Sequence, residues 1–160
     1  MKVTFIQAGG SIDKDYPKKI RTYSFEIGEP AFKRILSHAN VSFDYDTVSV
    51  CRKDSMDMTD KDRKAVLDAC LKAGDKIVVT HGTDTMVQTA KVLTEIKNKT
   101  IILTGASSPF KFIDSDADFN LGMAVAAVQT LKPGVYIAMN GRIFDWDKVK
   151  KLDSGHFVEK

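Results

Sequence analysis

Five short apolar runs recur along the chain, each parted from the next by a stretch with helical periodicity, and this alternation restricts the fold more than any other feature. Val3 to Gln7 is the first run. Pro30, suited to a first helical turn, introduces Ala31, Phe32, Ile35 and Leu36 at helical spacing. Phe43 to Val50 reads as the second strand, and Asp60 to Ala73 sets Val66, Leu67, Cys70 and Leu71 on one helical face before stopping at Gly74. Lys76 to Thr80, Thr100 to Thr104 and Val135 to Met139 are the remaining strands. Between them lie an amphipathic helix carrying Met86, Val87, Ala90, Leu93 and Ile96, and a helix over Asp116 to Leu131. Strands alternating with helices predict an α/β fold, a three-layer α/β/α sandwich with a mostly parallel sheet. Residues 11 to 28 show neither a clear helix nor a parallel strand, and an excursion hairpin or a lid would account for them.

A length of 160 residues with 43% hydrophobic side chains fits a single domain. Lys and Arg total 24 against 21 Asp and Glu, and both signs are scattered, so the basic stripe of a nucleic-acid surface is missing. No apolar stretch approaches membrane-spanning length and the N-terminus has no signal-type apolar region, which sets the expectation of a soluble cytoplasmic protein. Cys51 and Cys70 lack Cys-x-x-Cys spacing and read as reduced core thiols.

In open sheets of this class a ligand crevice forms beyond the carboxyl ends of the strands. The polar clusters fall at that edge: Gly9-Gly10-Ser11, Asp54-Ser55, His81 to Asp84, and Gly105 to Ser108. The densest is the third, in VVTHGTDTM at Val78 to Met86, where a buried-strand run ends in hydroxyls, an imidazole and a carboxylate. No serine has Gly-x-Ser-x-Gly context, and His38, His81 and His156 show no metal spacing. The Gly9-Gly10 pair lacks the third glycine and the lysine of phosphate-binding loops. What remains is hydroxyls, carboxylates and lysines on converging loops, and a threonine or serine can act as a nucleophile where a neighbouring tyrosine, lysine or carboxylate relays its proton. Taken singly, each residue also has an ordinary use: Asp84 as a helix cap, Thr83 as a turn residue, Ser11 as a small residue after a tight turn, His81 as a loop anchor.

Taken together these segments resemble the N-terminal domain of the bacterial-type L-asparaginase family. FIQAGGSI at Phe5 to Ile12 is similar to the family's strand and Gly-Gly-Thr-Ile turn, and VVTHGTDTM to its second signature. DSMDMTDKD at Asp54 to Asp62 resembles the substrate-binding loop, and LTGASSPF with DSDADFNLGMAV resembles the Thr-Gly-Ala loop and following helix. The resemblance implies that Ser11 occupies the place of the primary nucleophile, usually threonine, and that Thr83 and Asp84 match the second catalytic threonine and the aspartate gripping the α-amino group. Lys151 matches the lysine paired with them, Lys150 being the alternative register, and the lid tyrosine is Tyr23, with Tyr16 as the alternative. Gly10, Asp54, Ser55, Met56, Gly82 and Ala106 complete the implied substrate-binding set, with Ser55 on the substrate's α-carboxylate. Met56 stands where many members carry glutamine or serine.

The resemblance implies an amidohydrolase acting on the side-chain amide of asparagine, and of glutamine at times, through a covalent acyl-enzyme. It implies no metal or organic cofactor, a small amino-acid substrate, and a homodimer or higher homo-oligomer. Residues 1–160 are expected to form one domain of the family's N-terminal type, the usual C-terminal domain lying outside this sequence. Two other readings are an asparaginase-like binding or regulatory module with little turnover, and an amidohydrolase for another small amide, such as the amide-releasing subunit of a tRNA-dependent amidotransferase.

Overall fold

The computed structural model describes residues 1–17 and 24–160. Its centre is a six-stranded sheet of β1 (Lys2–Gly9), β4 (Asp44–Lys53), β5 (Lys76–Thr80), β6 (Thr100–Thr104), β7 (Gly134–Met139) and β8 (Arg142–Asp145), in the order β4-β1-β5-β6-β7-β8. All neighbours run parallel except β8, which returns antiparallel to β7. The sheet is the α/β arrangement expected from the alternating pattern. Beyond the predicted strands the chain adds β8 and a small hairpin, β9 (Val149–Lys151) with β10 (Phe157–Glu159).

Period-two alternation sorts the strand residues onto two faces. Ile6, Ile77, Val79, Ile101 and Leu103 point toward α2 (Asp60–Lys72) and α3 (Met86–Leu93), meeting Val66, Leu67, Met86 and Leu93. Val3, Phe5, Val78 and Ile102 point the other way, toward α1 (Ala31–His38) and α4 (Ala117–Thr130), meeting Phe32, Ile35, Leu121 and Val128. Both faces of the central strands are thereby dry, each large side chain contributing roughly 1.5–3 kcal/mol of apolar burial. Leu71 departs from expectation and is 53% exposed. Helix α2 packs toward the sheet margin, over β4 and β1, where the apolar stripe it can bury is narrow and ends with Val66, Leu67 and Cys70.

The four crossovers do not share one hand. The chain steps from β1 to β4 with its helix on one face, then from β4 to β5 and from β5 to β6 in the opposite direction with α2 and α3 on the other face, which is one consistent hand. From β6 to β7 it travels the same way again, yet α4 lies on the α1 face, so this crossover has the opposite hand. Since crossovers are right-handed in the great majority of sheets, β6-α4-β7 is the left-handed one.

The segment after β1 forms a 3-10 turn over Ser11–Asp13 and then a short antiparallel ladder, β2 (Lys14–Asp15) against β3 (Glu26–Ile27), a pairing that fits the hairpin alternative for residues 11 to 28. Tyr23 lies outside the described residues. Among the described residues no helix is long and apolar enough to cross a membrane. Cys51 is half-buried, Cys70 is buried, and both are free thiols.

Candidate active site

Strand order reverses between β1 and β5, since the chain leaves β1 toward β4 and comes back on the far side. In open sheets of this class ligands bind beyond the carboxyl ends of the strands at such a reversal. The loops that leave β1 and β5 at this edge carry Ser11 and Thr83.

Glycine brings the loops together. Gly9 and Gly10 have φ of 101° and 95°, a region open to glycine and strained for other residues. A Cβ on Gly9 would collide with the Lys53 backbone, one on Gly10 with the Gly82 backbone, and one on Gly105 with the His81 carbonyl. On Gly82 it would lie 2.6 Å from Ser55 Cβ. Four strand ends therefore meet backbone against backbone, and Ser11 and Thr83 each directly follow the Gly10–Gly82 contact.

Thr83 and Asp84 converge on one cation. Lys151, delivered by β9, donates to Thr83 Oγ1 at 2.8 Å and to Asp84 Oδ1 at 2.5 Å. Lys150, on the same strand, is exposed and makes no such contact. Because the ammonium donates to the Thr83 oxygen, the threonine's own proton is directed away from Lys151 and is free for another acceptor. Asp84 is not the helix cap: that place belongs to Thr85, whose hydroxyl instead donates to the Ser55 carbonyl at 2.8 Å and ties the β5 loop to the β4 loop.

His81 underpins this loop from below. Its Nδ1–H donates to the Gly82 carbonyl and its Nε2 accepts from the Thr89 hydroxyl, both at 2.7 Å. Complete burial pulls its pKa down to about 4, so the ring is neutral. It acts as an anchor, in line with the structural reading of its sequence position.

On the β4 side, Ser55 is buried and its hydroxyl has no partner among the described residues. Asp54 accepts from the Met56 amide and pairs with Lys14 at 2.9 Å, and the cation holds its carboxyl below the usual range. Met56 projects into solvent, 70% exposed. Ala106 is buried in the core under α4, so only its backbone can face a ligand.

Two groups that sequence reasoning passed over stand close to Ser11. Asp13 is buried, accepting from the Gln7 side chain at 2.9 Å and from the Ala31 amide at 2.7 Å. Burial pushes its carboxyl up to about 6. Lys14 bridges to Asp54, as noted. The available signal was Gln7 itself, a long polar side chain inside an otherwise apolar strand run, which needs a buried partner.

This geometry coincides with a family match over residues 2–158, to the asparaginase N-terminal model. The chain belongs to the asparaginase family. It is 39% identical over 83 residues to an L-asparaginase of Thermococcus kodakarensis, covering 50% of this chain and 25% of that protein. It is 38% identical over 100 residues to a glutamyl-tRNA(Gln) amidotransferase subunit of Methanococcus vannielii, covering 57% and 24%. The solved thermostable L-asparaginase of T. kodakarensis superposes with a TM-score of 0.84 at 27% identity, over 99% of this chain and 51% of that one. A probable cytoplasmic L-asparaginase of Campylobacter jejuni gives 0.80 at 26% identity, over 99% and 52%. The chain thus spans about half the length of these solved relatives, and its matched segment about a quarter of the sequence relatives.

Proposed function

We propose that this chain is an amidohydrolase of the asparaginase type that cleaves the side-chain amide of asparagine, with glutamine as the second substrate. The observation that carries the reading is the Thr83–Lys151–Asp84 group, assembled from residues 67 and 68 positions apart, on the loop whose Gly82 backbone packs against Gly10, the residue before Ser11. Ser11 Oγ attacks the amide carbon and its proton passes to the leaving nitrogen through that group. The C–N bond breaks, ammonia departs, and water hydrolyses the remaining ester to release the acid. Asp84 is read as the partner of the substrate's α-ammonium and Ser55 as the donor to its α-carboxylate, which supplies the acceptor its buried hydroxyl lacks. Residues 1–160 are read as one domain.

Homodimerisation belongs to the same proposal. Tyr16, Phe25 and Phe112 form an exposed aromatic cluster, with centroids 5.5 and 5.9 Å apart, beside the fully exposed Ile113. A patch of this kind at the rim of a site favours burial against a second copy. A cytoplasmic setting is proposed as well, in keeping with the name of the Campylobacter relative.

A second reading, hydrolysis of a different small amide, is favoured by Met56, whose exposed thioether offers no polar contact where the family resemblance implies one. Ammonia release from asparagine, glutamine and a panel of other small amides decides between the two. Ser11→Ala should abolish release and keep the melting temperature; release at the parental rate would sink the assignment.

A further inference from the structure

We propose that Asp13 is a positioning residue, a buried clamp that fixes the Ser11 turn and the stem of the β2–β3 hairpin to each other. The inference rests on the reading of Ser11 as nucleophile only for its consequence in turnover. The clamp itself is visible in the bonding.

The turn closes through the Asp13 amide, which donates to the Gly10 carbonyl at 3.1 Å. The stem closes onto the same residue, since the Gly28 amide donates to the Asp13 carbonyl at 2.8 Å and the first amide of α1, that of Ala31, donates to Asp13 Oδ1. Gln7 joins the two: its amide nitrogen donates both to Asp13 Oδ2 and to the Gly28 carbonyl, at 2.9 and 3.0 Å, while its oxygen accepts from Ser49 at 2.5 Å. Strands β1 and β4, the nucleophile turn, the hairpin stem and α1 are thereby held by one buried amide–carboxylate pair. The next two residues reach further loops, Lys14 to Asp54 and Asp15 to Lys111. A buried carboxylate is costly unless its hydrogen bonds are met. Here each oxygen receives an N–H, an arrangement matched to the ionised form.

The two N–H donors favour the ionised form, but burial outweighs them and holds the carboxyl up to about 6, so opening the clamp to water releases a proton and becomes easier as pH rises through that value. Arg52 on β4 favours the ionised form and is shared with Glu29. From β1 and α1 the facing groups are the uncharged Gln7 amide and the Ala31 N–H, and Lys14 and Asp15 on β2 are engaged with Asp54 and Lys111.

Amide hydrogen exchange on the whole chain, alongside ammonia release, tests this. In Asp13→Asn the new amide faces the Gln7 donor. Exchange at Asp13 and Lys14 in the turn and at Gly28 and Ala31 in the stem should then accelerate together by tenfold or more, with β6 and β7 unchanged. Wild-type protection at these four amides, corrected for intrinsic rates, should fall as pH rises through about 6, and that step should vanish in the variant. Turnover should fall at least tenfold with KM within threefold. Should Asp13→Asn fail to fold, Ser49→Ala, which removes only the donor to Gln7, should give the same four-amide pattern at two- to threefold. Unchanged exchange, or acceleration in the stem without the turn, overturns the clamp. A wild type that releases no ammonia from any amide refutes the proposed activity, and exchange alone then decides the clamp.

Discussion

Lowering the pH from 6.5 to 4.5 should leave the stability of this protein nearly unchanged, and the reason is a cancellation that one substitution exposes. Asp13 is held at about 6 against an ordinary 3.8, so between those values the folded state carries a proton that the unfolded chain has lost. Stability from this group is complete at low pH and falls as pH rises through 6. His81 is held at about 4 against 6.5, so between those values the unfolded chain carries the extra proton. Stability from that group is complete above 6.5 and falls as pH drops toward 4. Integrating each linkage over the two pH units gives about 2 kcal/mol apiece with opposite sign, leaving a net change below about 1 kcal/mol. Asp13→Asn removes the first effect only. The variant carries a pH-independent loss of about 1–3 kcal/mol from two opposed donors, and beyond it should lose about 2 kcal/mol more between pH 6.5 and 4.5. At a urea slope of about 2 kcal/mol/M, that is a midpoint lower by about 1 M. Urea titrations at pH 6.5, 5.5 and 4.5 measure it. A variant whose offset from wild type is the same at all three values would refute the cancellation, and so would a wild type that loses 2 kcal/mol by itself.

Asp84→Asn should shift stability by less than about 1 kcal/mol, since Asp84 is half-exposed and does not cap α3. Binding of aspartate, followed by calorimetry, should nonetheless disappear, and retained affinity would remove Asp84 from the site. Gly82→Ala drives a methyl into Ser55 and should cost both stability and turnover. Adding Ser55→Gly should recover the melting temperature without the turnover, whereas recovery of both would show that the Ser55 hydroxyl is dispensable. Lys99→Met should lower stability by about 2–3 kcal/mol in urea titration, because the nearly buried ammonium donates to the Cys70, Leu71 and Ala73 carbonyls at the end of α2; a change below 0.5 kcal/mol would show that the helix end finds other donors.

The strands and helices of the central fold were legible because their apolar residues repeat at the right periods over dry faces. The positions of Ser11, Asp54, Thr83 and Asp84 at strand ends were legible for the same reason. The convergence of Lys151 on Thr83 and Asp84 was not available from periodicity. It depends on β9, a three-residue strand with no pattern of its own, and the motif resemblance supplied it. Leu71 was misplaced because helical spacing tells which residues share a face and not how wide a surface that face meets. Asp13 escaped notice since a charged residue two places after a turn is ordinarily solvated, and only the chain's return at Gly28 and Ala31 buries it. The hand of β6-α4-β7 is invisible to patterning, because α4 carries the same apolar residues whichever face it covers.

That reversed crossover restricts how the chain can vary in length. To bring α4 to the α1 face, residues 105–116 must climb over the carboxyl edge of the sheet, twelve positions where the β5-to-α3 connection needs only five. On the way the Phe110 amide donates to the Ile12 carbonyl, pinning this strap beside Ser11. Shortening it would pull α4 back toward the face that α2 and α3 already fill. Deletions here should therefore be lethal to the architecture, while insertions of equal size should be absorbed as slack, giving the segment a one-sided tolerance that the other connections do not share.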